Sequence, residues 1–270
     1  MLAEQSLRDG DVVSSLKLLQ EQVKADPANP TLRVFLFQLL AVRGDWGRAL
    51  NQLNVAGELD AGTLAMVQTY QEALRCEAYR AEVFSGRHRP HLFGKPEEWM
   101  ALCLEALSCS TSGSLNQAAE LLDRAYDAAP AIPGSINGEA FAWIADADSR
   151  IGPFIEAVIG DTYYWVPFCR IQRVDLEEPE DLRDLVWTPA QFTWANGGQM
   201  VGLIPTRYPG SEVSEDPLIQ LARKTEWLDQ EHEQFFGMGQ RIITTDVSDY
   251  PIMDIREIVF ETESVDFKPN

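Results

Sequence analysis

Only three of the 270 residues are histidine and four are cysteine. So few imidazoles leave little material for histidine-based catalysis or metal ligation. The cysteines, Cys76, Cys103, Cys109 and Cys169, form no CxxC pair and are too sparse for a small secreted scaffold. Reduced thiols in a cytoplasm are expected, packed as small apolar groups. Cations are scarce as well: 22 Lys and Arg stand against 42 Asp and Glu, a formal charge of −20. Nucleic acid and anionic lipid both require a cationic face, so neither is expected as a main partner. No stretch approaches the roughly 18 apolar residues of a membrane span. The best run, Phe35 to Val42, is short and holds Gln38. The opening MLAEQSLRDGD lacks a basic segment followed by an apolar core, so no signal peptide is expected. No GxSxG and no Gly-rich phosphate loop occurs, which removes the commonest sequence marks of a serine hydrolase or a nucleotide enzyme.

What is present is a globular chain with 45% hydrophobic residues, long enough for about two domains. Its character changes near residue 135. Up to Pro133 the apolar residues recur at helical spacing, as in Leu32, Phe35, Leu36, Leu39 and Leu40. Beyond it, short β-rich runs appear at 141–145, 163–171, 191–195, 200–205, 242–245 and 255–260, punctuated by Gly, Pro, Asn and Asp. Helical patterns are read at about 150–159 and 216–236. The expected organisation is therefore α+β: a helical-repeat domain over 1–134 and a mixed α+β domain over 135–270, with the boundary in Ala131 to Asn137.

The helical half repeats itself. Gly10-Asp11, Ser15, Leu19 and Asp26 recur as Gly44-Asp45, Ala49, Leu53 and Asp60, an offset of 34 residues. A third copy reads Gly113, Ala118, Leu122, Ala125 and Pro130. Thirty-four is the length of a tetratricopeptide (TPR) repeat. The glycine ends a first helix in a left-handed conformation, the small residue lets the second helix approach, and the leucine fills the space between them. Residues 62–110 depart from this period. They read as a helix from about Thr63 to Phe84, a basic loop Gly86–Lys95, and a helix from Pro96 to Cys109.

Candidate chemistry is thin. Asp146 and Asp148 form a DxD pair at a strand end that could hold a divalent cation and a phosphorylated substrate. The competing reading has them capping a helix near Ser149 and pairing with Arg150. His88 and His91 lie in RHRPH, where Pro90 prevents a regular helix; an exposed basic loop is expected. His232, in EHE, lacks the second histidine of a HExxH motif, so a solvated helix face is expected. The run Asp175 to Asp184, with six carboxylates and one arginine, reads as a solvated loop entering a short helix. Most informative are the rings. Tyr163, Tyr164, Trp165 and Phe168 fall within six residues, with Trp143, Trp187, Phe192 and Trp194 nearby. Along a strand Tyr163 and Trp165 face one side and Tyr164 the other. They are expected to build a sheet core, to offer a partner an aromatic platform, or to do both, one per face. As partner-binding candidates they are Trp143, Tyr163, Tyr164, Trp165 and Phe168.

These segments carry a resemblance. FAWIADADSRIGPFIEAVIGDTYYWVPF (Phe141 to Phe168), VWTPAQFTWANGGQMVGLIPTRYPGS (Val186 to Ser211) and IMDIREIVF (Ile252 to Phe260), behind TPR-like repeats, resemble the ImpE/TagJ/SciE accessory proteins of bacterial type VI secretion systems. The resemblance implies a cytoplasmic, non-enzymatic accessory factor without a cofactor. It implies association with the contractile sheath, through the N-terminal helix of the small sheath subunit, and a link to the sheath-disassembly ATPase. Two alternatives are kept: a metal-dependent enzyme using Asp146 and Asp148, and a general TPR co-chaperone.

Overall fold

The repeat glycines turn helical hairpins. Gly10, Gly44 and Gly113 have φ of 86°, 69° and 83°, the left-handed conformation that an L side chain resists. They join α1 (Leu2–Arg8) to α2 (Val12–Ala25), α3 (Pro30–Val42) to α4 (Trp46–Leu59), and, after α5 (Leu64–Phe84), the strand β1 (His91–Leu92) and α6 (Glu98–Thr111), they join α6 to α7 (Leu115–Ala128). Ser15, Ala49 and Ala118 are fully buried where the paired helices touch, and Leu19 and Leu53 fill the space behind them. Ser15 also donates its hydroxyl to the Ala3 carbonyl at 2.8 Å, tying α2 to α1. The structure, a computed structural model, describes residues 2–230 and 234–261.

From residue 134 onward the chain is mostly strand: β2 (Gly134–Ile136), β3 (Glu139–Phe141), β4 (Ile144–Asp146), β5 (Phe154–Ile159), β6 (Thr162–Pro167), β7 (Ile171–Leu176), β8 (Trp187–Trp194) and β9 (Gln199–Pro205). The one-turn helix α8 (Pro217–Gln220) follows, then β10 (Thr225–Asp229), β11 (Phe235–Gly239), β12 (Ile242–Thr245), β13 (Asp249–Pro251) and β14 (Glu257–Phe260). The architecture is α+β. Nine strands form one sheet in the order β1-β6-β5-β9-β8-β7-β14-β2-β3, antiparallel except for β1 on β6. A three-stranded sheet β13-β12-β4 and the hairpin β10-β11 stand beside it.

The large sheet is covered on both faces. Phe154, Val158, Tyr163, Trp165, Trp187 and Leu203 share a core with the helices. Ile155, Ala157, Ile159, Val166, Phe192 and Ile204 point the other way, into a second core with Ile243, Ile258 and Phe260. The sheet curls around that second core. β6 and β14 are five strands apart, about 24 Å in a flat sheet, yet the rings of Phe168 and Phe260 are 5.9 Å apart.

Two expected helices are corrected. The segment at 150–159 contains β5, whose six residues are all buried; a strand covered on both faces reads as a continuous apolar run with no alternation. Among the described residues of 216–236 only Pro217–Gln220 is helical, and 225–229 belongs to the β10–β11 hairpin. Glycine makes the hairpin's seat: a Cβ on Gly237 would lie 2.2 Å from the Tyr208 ring, and Gly239 has φ of 93°. Strand β1, inside the basic loop, was not expected.

Candidate functional site

The aromatic cluster divides as its alternation requires. Tyr163 and Trp165 are buried toward the helices, where Trp165 meets Phe84 and Phe154 at 5.8 and 5.4 Å. Phe168 is buried in the second core. These three rings are therefore closed to a partner in this structure; rings this large are drawn into the core because they bury the most apolar area. Tyr164 is half-buried against Phe93 and His91. Trp143, in the turn between β3 and β4, is 40% exposed.

Behind Tyr163 lies a buried charge network that joins the two halves. Glu156, on β5, accepts from Arg80 of α5 at 2.6 and 3.0 Å, and from Arg241 and the Tyr163 hydroxyl. Arg241 also reaches Asp146 and donates to the Pro205 carbonyl at 2.9 Å. Glu77, one helical turn before Arg80, accepts from the Trp187 indole at 2.9 Å. Tyr163, Trp165, Glu156 and Arg241 are all essentially inaccessible. Burial opposes ionisation of Glu156, but the adjacent Arg80 and Arg241 outweigh it and hold the carboxyl down at about 2. Asp146 shows the opposite balance: burial raises it to about 6 despite Arg241. Buried charges persist only when paired in this way.

The DxD pair is spent on this framework. Asp146 accepts from Tyr208 at 3.0 Å and from the Asp148 amide at 2.9 Å. Asp148 grips the Arg150 guanidinium and accepts from the Gly237 amide at 2.8 Å. The expected Asp148–Arg150 pair is thus present, but Ser149 starts no helix; the chain turns there instead. Both aspartates are buried, and among the described residues no three His, Cys, Asp or Glu side chains gather as a metal site. His88 is exposed in its loop and stacks on Tyr79, as does His91, now a residue of β1. His232 lies outside the described residues. All four cysteines are free; Cys76 and Cys103 are buried, Cys109 and Cys169 half-buried.

A groove of about 910 Å³ opens between the first half of α5 and the ends of β5, β7, β8 and β9. Its lining is apolar along Met66, Val158, Pro189, Ala190, Val201 and Leu203. Around this stand eight carboxylates and one guanidinium, Arg183. Arg183 is already held, by Asp181 at 2.5 Å and by the Tyr70 ring face at 5.0 Å. Asp184 is buried and caps the 3-10 turn at 182–185 through the amides of Glu180 and Asp181. The acidic run was readable as a solvated loop entering a short helix. What was not readable is that this loop faces α5, about a hundred residues earlier, across an apolar floor. Val201, on β9 at the groove, is left 76% exposed.

Comparison with known proteins follows the same outline. Residues 138–259 match the family model described as ImpE protein. Over 261 residues the chain is 50% identical to a Pseudomonas aeruginosa protein named type VI secretion system accessory component TagJ, covering 97% of this chain and 92% of that one. The crystal structure of protein VPA1032 from Vibrio parahaemolyticus is similar in fold, with a TM-score of 0.87 and 24% identity over 97% of this chain and 98% of that one.

Proposed function

This chain belongs to the ImpE family, and from that premise we propose that it is a non-enzymatic accessory protein of bacterial type VI secretion that acts by docking a sheath component. The observation that carries the reading is half identity along nearly the whole chain to a protein named as such an accessory component. The partner is the small sheath subunit, through its N-terminal helix, and the site of action is the cytoplasm, where sheath handling is coupled to the disassembly ATPase. No helix among the described residues is long and apolar enough to cross a membrane.

The chemistry of the molecule supports docking over turnover. Its buried acids and bases hold one another: Asp146 is paired with Arg241 and Asp148 with Arg150, and both aspartates are buried. TPR-like hairpins offer preformed surfaces for another polypeptide. Of the aromatic candidates, Trp143 and Tyr164 keep accessible surface and remain proposed contacts. The test is capture of the separately purified sheath subunits by the full chain. Selective retention of the small subunit supports the reading. Equal retention of both subunits favours a general holdase, and retention of neither overturns the sheath assignment.

A further inference from the structure

We infer that β10 is a docking edge and that its occupant is β10 of a second copy of this chain, the two strands pairing antiparallel about Trp227.

One side of the β10–β11 hairpin is closed and the other is open. Strand β11 turns its outer edge to the body of the protein. The Phe235 amide donates to the Ser149 hydroxyl and the Gly237 amide to Asp148, while the Gly239 carbonyl accepts from the Tyr208 amide. These three residues lie opposite Asp229, Trp227 and Thr225 of β10. In an antiparallel pair, residues directly opposite either bond each other or both point outward. Phe235, Gly237 and Gly239 point away from β10, so Thr225, Trp227 and Asp229 point away from β11. Among the described residues the backbone N–H and C=O of Thr225 and Trp227 meet no hydrogen-bond partner. The strand is exposed from Glu226 to Asp229, with Trp227 40% and Leu228 47% accessible. Proline or a bulge commonly blunts such an edge. TEWLD holds no proline and pairs with β11 residue for residue.

The symmetry of the strand selects the occupant. β10 has five residues, and Trp227 is the middle one. Two identical strands related by a two-fold axis overlap along their full length when the axis passes the middle residue, and that residue has to present its N–H and C=O outward. Trp227 does so, and it exchanges two hydrogen bonds with the partner's Trp227. Charge selects the direction. This register sets Glu226 against the partner's Leu228 and Asp229 against the partner's Thr225. A parallel, in-register pairing would instead set each carboxylate on its own copy, which is unfavourable. Glu226 is also answered within its own chain, by Lys224 at 2.5 Å. Two indoles then meet at the axis and add apolar contact to the backbone bonds. The charge of −20 on each copy opposes the contact, so association is weak at low salt and tightens as salt rises.

The test joins geometry to association. Opposite Cα atoms of a hydrogen-bonded antiparallel pair are about 5.5 Å apart, within the span of a disulfide. On mild oxidation the full chain carrying Trp227→Cys should therefore become a cross-linked dimer, with the linkage mapped to position 227 by mass spectrometry. In the same register the two copies of position 228 are diagonal neighbours about 7–8 Å apart, so Leu228→Cys should cross-link about tenfold less. The unaltered chain, with its four cysteines, sets the background. Sedimentation velocity of the unaltered chain over a micromolar to submillimolar series should show a dimer fraction that rises with concentration and with salt. Trp227→Lys, which places two cations face to face, should abolish it, and Val13→Lys, on the exposed face of α2, should not. Should Trp227→Lys fail to fold, Leu228→Glu, exposed and set against the partner's Glu226, takes its place. Cross-linking no stronger at 227 than at 228, or dimers that survive the charge variants, overturns the assignment. A chain that stays monomeric throughout also overturns it and leaves the edge to an extended strand of another protein.

Discussion

Replacing Glu156 with glutamine tests whether the two halves are held by charge as well as by apolar packing. Gln keeps the shape, but it removes the one carboxylate shared by Arg80 and Arg241 and turns an amide N–H toward donors. Breaking a buried pair from one side costs about 3–5 kcal/mol, because the stranded charge remains buried. A second route gives a similar size. The Glu156 carboxyl is held at about 2 against an ordinary 4.5. That difference corresponds to about 3 kcal/mol of native-state stability. Because the folded value is depressed, this stability is present above pH 4.5 and is lost as pH falls through 2. Urea unfolding followed by tryptophan fluorescence should show Glu156→Gln destabilised by about 3 kcal/mol or more at pH 7. Between pH 5 and pH 3 the gap between variant and parent should narrow. A variant within about 1 kcal/mol of the parent at pH 7, or a gap that stays constant across that acid range, would refute the reasoning.

Asp146 carries the opposite sign: with its folded value raised to about 6, parent stability falls as pH rises from about 4 to 6, and Asp146→Asn should flatten that slope in the same urea series. Trp165→Ala should cost about 3–5 kcal/mol, whereas Trp143→Ala, at a 40% exposed position, should change the unfolding free energy by less than about 1 kcal/mol. Gly44→Ala should destabilise by about 1–2 kcal/mol, because φ is 69° and the new Cβ would meet Glu212 at 2.4 Å; a melting curve indistinguishable from the parent's would contradict this. Burial pushes the Cys76 and Cys103 thiols up to about 12, so native alkylation at pH 8, read by mass spectrometry, should spare both and modify half-buried Cys109 first.

The hairpins were legible because their signal is local. Glycine, small residue and leucine recur at one spacing, and each does its work within its own helix pair. The alternation of Tyr163, Tyr164 and Trp165 was local too, and it assigned the two faces of β6 correctly. What escaped is long-range. Burial on both faces erased the alternation of β5, and the seat for β11 depends on Tyr208 lying over Gly237. The charge network joins Arg80 to Glu156 and Glu156 to Arg241 across 76 and 85 residues, so the neighbours of Asp146 in sequence suggested a helix cap and a pair with Arg150, and not its partner Arg241. The groove is a meeting of α5 with four strand ends, and no segment announces it alone. We propose that the division at 134/135 is one of architecture and not of independent stability, since Tyr70 and Trp46 pack on Trp187 at 5.7 and 6.0 Å. Residues 1–134 alone should then lack a cooperative unfolding transition.

The most direct measurement is fluorescence anisotropy of a labelled peptide, the first helix of the small sheath subunit, titrated with the purified full chain. A saturable one-to-one isotherm, competed by the unlabelled subunit, is the predicted result. A flat trace with folded protein, with the intact subunit equally inert, would contradict the account.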